Sequence, residues 1–189
     1  WNDATDSHQK LAIDEKFNFF NPKAGISYLP NRNNRLYASV GVAHKEPTRN
    51  NYTDGKLDEH PTAERLIDYE AGYIYSGRLF TAGANIYFMD YKDQLVLTGE
   101  LNEIGEPLAA NIPDSYRAGV ELMAGVTLPC GFRWDANATF SRNRIKDFTE
   151  VLYDDDTYAA WEVKHGDTRL AFSPEIIVNN TFAYSWKGS

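Results

Sequence analysis

Between Tyr69 and Lys92, apolar and polar residues alternate with period two on either side of Ser76-Gly77-Arg78. In the first arm Tyr69, Ala71, Tyr73 and Tyr75 fall on one side, and Asp68, Glu70, Gly72 and Ser76 mostly on the other. In the second arm Phe80, Ala82, Ala84, Ile86 and Phe88 oppose Thr81, Gly83, Asn85 and Tyr87. Successive side chains of a strand point to opposite faces, so the pattern predicts two β-strands joined by a tight turn. A helix would need apolar residues at i, i+3 and i+4, a spacing this stretch lacks. One face is rich in Tyr, Phe and Ala, while the other carries Glu70, Asn85 and two glycines. A strand with hydrocarbon on one side and a wet interior on the other has this two-sidedness.

The same alternation recurs along the chain. Ala24, Ile26 and Tyr28 oppose Lys23, Gly25 and Ser27, after an aromatic cluster of Phe17, Phe19 and Phe20. Pro22 suits the start of that strand, because proline has no N–H to give to a ladder. Leu36, Ala38, Val40 and Val42 then alternate with Tyr37, Ser39, Gly41 and Ala43. Between Tyr116 and Leu128, Ala118, Val120, Leu122, Ala124 and Val126 share a face. Phe132, Trp134, Ala136, Ala138 and Phe140 share another, and a last strand follows Pro174 with Ile176, Val178, Phe182, Tyr184 and Trp186.

The connections have a rhythm. Tight turns at 30–34, 76–78, 129–131 and 187–189 alternate with long stretches at 46–64, 93–115 and 146–173. Residues 1–22 read as part of a further long loop. The segment 93–115 holds Gly99, Gly105, Pro107 and Pro113, which predicts irregular structure through it. In an antiparallel meander alternate connections lie at the same end, so every long loop falls at one end and every tight turn at the other. Outer-membrane barrels have that asymmetry. Tyr75, Phe80, Phe132, Trp134, Tyr184 and Trp186 lie near the tight-turn ends, where an aromatic girdle belongs. The expected fold is therefore all-β: an antiparallel up-and-down transmembrane β-barrel, present as a partial barrel of about seven strands. Closed single-chain bacterial barrels have an even number. The 189 residues are thus expected to be a fragment of a single barrel domain.

Composition narrows the picture further. No run of about eighteen apolar residues exists, so a membrane-spanning helix is not expected. A mean hydropathy of −0.53 is compatible with barrel strands, whose alternation averages to polar. The net charge of −8 argues against a nucleic-acid partner. The N-terminal Trp1-Asn2-Asp3 does not read as a signal peptide, so the chain is expected to be processed or part of a longer one. The single cysteine, Cys130, sits in a tight turn and permits no internal disulfide. His8, His44, His60 and His165 lack the spacing of metal ligands. Asp154-Asp155-Asp156 reads as a solvated loop tip. No catalytic triad, phosphate loop or paired-carboxylate motif stands out. Neither an enzyme nor a cofactor is expected.

Six strings carry a family resemblance: FNPKAGISY, YASVGVAHKEPTRNNY, AERLIDYEAGYIYSGRL, NIYFMDYKDQLVLTG, SYRAGVELMAG and FSPEIIVNNTFAY. In this order, and at these places relative to the turns, they resemble the C-terminal half of the barrel of TonB-dependent outer-membrane receptors. The resemblance implies a barrel of about 22 strands around an N-terminal plug. It also implies import of a scarce nutrient, energised by the TonB complex acting on a segment near the receptor's N-terminus. The string His44-Lys45-Glu46-Pro47-Thr48-Arg49 is most like siderophore-type members. A ferric siderophore is therefore the expected substrate, with glycan, haem or cobalamin importers as alternatives. A soluble β-sandwich binding module is the competing reading from a different class.

In such a barrel the substrate meets the long-loop end and the upper lumen. The candidate ligand-binding residues are Arg49, Asn50, Asn51 and Tyr52 in the first full loop, with Lys92 and Arg117 near the lumen mouth. Arg and Tyr suit an anionic or catecholate ligand, through charge-assisted hydrogen bonds and stacking. Glu70, Arg117, Glu121 and Arg133 are expected to face the lumen, paired with one another or with the plug. The expected surroundings are outer-membrane lipid and the bacterial outer membrane.

Overall fold

The computed structural model describes residues 15–53, 60–101, 107–153 and 160–186. They form β1 (Lys23–Asn31), β2 (Asn34–Lys45), the short helix α1 (Arg49–Thr53), β3 (Glu64–Ser76), β4 (Phe80–Leu101), β5 (Pro107–Thr127), β6 (Phe132–Tyr153), β7 (Ala160–Arg169) and β8 (Ile176–Tyr184). All strands join one antiparallel sheet in the order β1-β2-β3-β4-β5-β6-β7, and β8 also pairs with β6. β8 lies along the Phe132–Phe140 part of β6, and β7 along its upper part, from Arg144 to Tyr153. The eight strands therefore occupy seven files, β7 and β8 sharing the last.

Register aligns the two faces across the sheet. One row runs Ile26, Ala38, Ala71, Ile86, Val120, Phe140 and Ile176. The neighbouring row, on the opposite face, runs Ser27, Tyr37, Gly72, Asn85, Glu121, Thr139 and Ile177. The apolar face has no second layer. Phe80, Val120 and Phe140 are 46%, 38% and 47% exposed, and the strands pack extensively only against their ladder neighbours. A soluble sandwich would bury this face against another sheet. A sheet bordered by lipid leaves it bare.

Aromatic residues bound that face at two levels. Tyr75 and Phe80, and Phe132, Trp134 and Phe182, cluster near the tight turns. Tyr69, Phe88 and Tyr116 cluster toward the other end. From Phe80 to Asp90 a tilted strand climbs roughly 25 Å, the height of an outer-membrane apolar band.

The loop expectations need correction. The stretches 93–115 and 146–173 are largely strand: β4 and β5 run on as a hairpin, as do β6 and β7. Their breakers are accommodated at specific rows. Pro107 opens β5, and Pro113 lies at the row where Asp93 turns to a φ of 53°. Asp tolerates that left-handed conformation better than most residues. A ladder register shift sits beside Asp147, whose φ is 49°. Pairing of β5 with β6 stops at Ser115 and Ile145, so the two hairpins part above this level. Around this level the only buried apolar cluster among the described residues forms, from Ile112, Ile145 and Leu170, with Val96 and Phe148 packed against it. Asp154-Asp155-Asp156, His8 and the turn expected at 187–189 lie outside the described residues.

Candidate functional site

The polar face of the sheet is built from odd-numbered residues of β4, β5 and β6 and from their register partners. Tyr37 lies across Gly72 and its hydroxyl donates to Asn85 Oδ1 at 3.1 Å. A Cβ at Gly72 would stand 2.5 Å from the Tyr37 ring, so the missing side chain is what lets the phenol span the row. Asn85 Nδ2 in turn donates to Glu121 Oε2 at 3.3 Å. Tyr87 covers Gly119 in the same manner. Gly72 and Gly119 thus serve as beds for tyrosines reaching over from the next strand.

Toward the long-loop end the wall becomes charged. Lys23, Gly41, Asp68, Met89, Arg117 and Asn143 share a row. The Arg117 guanidinium lies 5.6 Å from the centre of the Tyr91 ring. Arg117 Nε and Asp68 Oδ1 are shielded from solvent and have no hydrogen-bond partner. Of the charges expected on this face, Arg133 pairs with Asp135, Nε to Oδ2 at 2.6 Å. Glu70, Arg117 and Glu121 form no ion pair with one another among the described residues.

Arg49, Asn50, Asn51 and Tyr52 all fall on α1, which packs against β5, the strand that carries Arg117. Asn51 is committed to the local fold, since its Oδ1 accepts from the Thr48 N–H at 2.8 Å and the Thr48 hydroxyl at 2.7 Å. The Tyr52 hydroxyl donates to Glu15 Oε2 at 2.7 Å. Desolvation, then the hydrogen bond to Glu15 and the charges of Glu15 and Glu46, push the Tyr52 phenol up to about 12. It therefore remains a neutral donor at physiological pH. Arg49 and Asn50 are exposed. The segment after α1 is held to the wall by Asn111, which accepts from the Thr62 N–H at 2.8 Å and donates to the Thr62 carbonyl at 3.0 Å.

Lys92 and Arg117 part company. Lys92 pairs with Asp114 and sits in the row of Arg65, on the face of Phe88 and Ile86. Arg117 is on the opposite face. Sequence reasoning placed both near the lumen mouth, although the even parity of Lys92 already set it with Phe88. Asp68, facing Met89 and sharing the Arg117 row, was passed over, and its odd-even offset from Tyr69 was the available signal.

The family described as TonB dependent receptor-like, beta-barrel matches residues 1–189. The pesticin receptor of Yersinia enterocolitica is 27% identical over 154 residues, covering 77% of this chain and 22% of the relative. Among solved structures, the siderophore receptor PirA from Acinetobacter baumannii superposes with a TM-score of 0.59 at 18% identity, over 88% of this chain and 26% of that one. The ferric-catecholate import receptor Fiu from E. coli gives 0.59 at 17% identity, over 86% and 22%. The chain spans about a quarter of the length of these relatives. With the whole chain matched, and with one bare apolar face opposite a polar one, this protein belongs to the TonB-dependent receptor β-barrel family of the bacterial outer membrane.

Proposed function

We propose that this chain is one wall of an active-transport receptor that binds a ferric siderophore and imports it across the outer membrane. The energy comes from the TonB complex, acting on a part of the receptor that lies outside this chain, as do the plug and the remaining strands. The observation that carries the reading is the family match over the full length. The siderophore class is supported by relatives named as siderophore and ferric-catecholate receptors. It is also supported by the chemistry at the long-loop end. Arg49 and Tyr52 on α1 and Arg117 on the wall supply two guanidiniums and a neutral phenol. Such groups hold an anionic, aromatic chelate by charge-assisted hydrogen bonds and stacking. Lys92, turned to the other face and paired with Asp114, falls out of the ligand's path.

The test is a binding titration of the full-length receptor with a ferric catecholate, haem and an oligosaccharide in parallel. Tight binding of the ferric catecholate is expected. Arg117→Ala is expected to weaken it by about 1.5–3 kcal/mol, the range for a hydrogen bond to a charged group. Preference for the oligosaccharide or haem would replace the siderophore reading with a different cargo.

A further inference from the structure

We infer that Asn111 is a positioning residue for the ligand site: its side-chain amide fastens the segment that carries α1 across β4 onto β5, and so sets Arg49 and Tyr52 beside the strand that carries Arg117. The inference rests on the reading of those three residues as ligand contacts. Asn111 Oδ1 accepts from the Thr62 N–H at 2.8 Å, and its Nδ2 donates to the Thr62 carbonyl at 3.0 Å. Nδ2 also donates to the Asp93 carbonyl. An amide side chain offers the acceptor and the two donors that this arrangement needs. One side chain thus ties three backbone groups from two separate stretches of the chain.

The direction of the tie gives it a function. Glu64 opens β3, yet Thr62, two residues earlier, is bonded to β5, with β4 lying between. Neighbouring strands are about 4.8 Å apart, so the returning arm leans across β4 within two residues. At the other end of the same segment, α1 also packs against β5. Both ends therefore bend the same way. The base is pinned separately, where Lys45 pairs with the buried Glu64 at 3.1 Å. Closing the base alone would leave the direction of the segment open; Asn111 sets it.

The tie is built where the ladder has a gap. Pairing of β4 with β5 passes from Lys92–Asp114 to Gln94–Ile112, and Pro113 in the intervening row has no N–H to give. Asp93 there has a φ of 53°, and its carbonyl takes its bond from the Asn111 side chain. A segment held in place beforehand costs the ligand less ordering on binding. Where only a fraction of receptors hold α1 in place, the apparent Kd rises by the inverse of that fraction. Asn111 thus acts on the ligand through α1 and the segment behind it.

The experiment uses the full-length receptor in detergent, with heat-modifiable gel mobility as the check on folding. Without ligand, hydrogen exchange at residues 48–53 and 60–63 is expected to quicken at least about tenfold in Asn111→Ala, since hydrogen bonds to three backbone groups are lost. Residues 80–90 of β4 should keep their protection. Thr62→Pro breaks the same tie from the other side, by removing the N–H that Asn111 accepts, and the same change is expected. It supplies the reading if Asn111→Ala misfolds. Binding of a ferric tris-catecholate is then measured in a double-mutant cycle. Asn111→Ala is expected to weaken it about tenfold in the parent and again in Arg117→Ala, but less than about twofold in Arg49→Ala combined with Tyr52→Phe, where α1 has no contact left to position. Unchanged exchange at residues 48–53 in both variants, or the same tenfold loss whether or not Arg49 and Tyr52 are intact, would overturn the inference. A parent receptor that does not bind the ferric tris-catecholate would overturn the siderophore reading alone; the exchange measurement needs no ligand and still decides the role of Asn111.

Discussion

The lower wall of the sheet and the paired hairpins above it are made from the same strands yet are held together differently. Below the row of Asp93 and Asp147 the ladder is regular and the large apolar side chains stand bare, with Ile86 57% exposed. Around and just beneath that row, where β5 and β6 stop pairing, Ile112, Ile145 and Leu170 retreat to 5%, 7% and 6%. The strands do not change chemistry at that row; their surroundings do. In hydrocarbon an exposed Ile or Phe costs nothing, and stability rests on satisfied backbone ladders. In water the hydrophobic effect returns, and the two hairpins bury apolar residues against one another in one shared cluster. The positive-φ aspartates mark the border, where the continuous sheet divides so that apolar residues can turn toward one another.

That contrast can be broken most strongly from below. Ala84 lies midway between the aromatic levels, opposite Tyr73 and Leu122 on the apolar face. Ala84→Arg in the full-length receptor is expected to cost about 2–4 kcal/mol. Urea titration of folding into phosphatidylcholine vesicles measures it, and a variant that folds like the parent would show that this face does not meet lipid. A cavity in the upper core is expected to act locally instead. Ile145→Ala should destabilise the hairpins by about 2 kcal/mol, the low end for Ile→Ala, because a small cluster relaxes readily. Hydrogen exchange should quicken around Val96, Ile112 and Phe148 while the lower strands keep their protection. Global unfolding would mean that the two regions are one cooperative unit.

The smallest effect concerns the junction between β7 and β8. Glu175 there accepts from Arg144 at 2.9 Å and lies 3.6 Å from Arg169. Glu175→Gln is expected to quicken hydrogen exchange at residues 170–175 about two- to fivefold, the scale of a partly exposed ion pair. Unchanged exchange there would mean that these ion pairs do not hold the junction.

Period-two alternation is a local property, so the faces of β1 to β6, the tight turns at one end and the family were readable from the residues alone. Tyr69, Ala71, Ile86 and Val120 announce their common side without any knowledge of neighbours. The stretches 93–115 and 146–173 were not readable in this way. Glycine and proline signal breaks, and only the partner strand shows that Pro113 falls at the bent row of Asp93. The division of the two ligand candidates came from register: Lys92 and Arg117 lie on different strands, and cross-strand pairing puts them on opposite faces. Tertiary structure alone gathered Arg144 and Arg169 around Glu175, because β7 folds back along β6 at a register shift. Alternation depends on how one residue follows the next, whereas clustering of charge depends on which distant strand lies alongside.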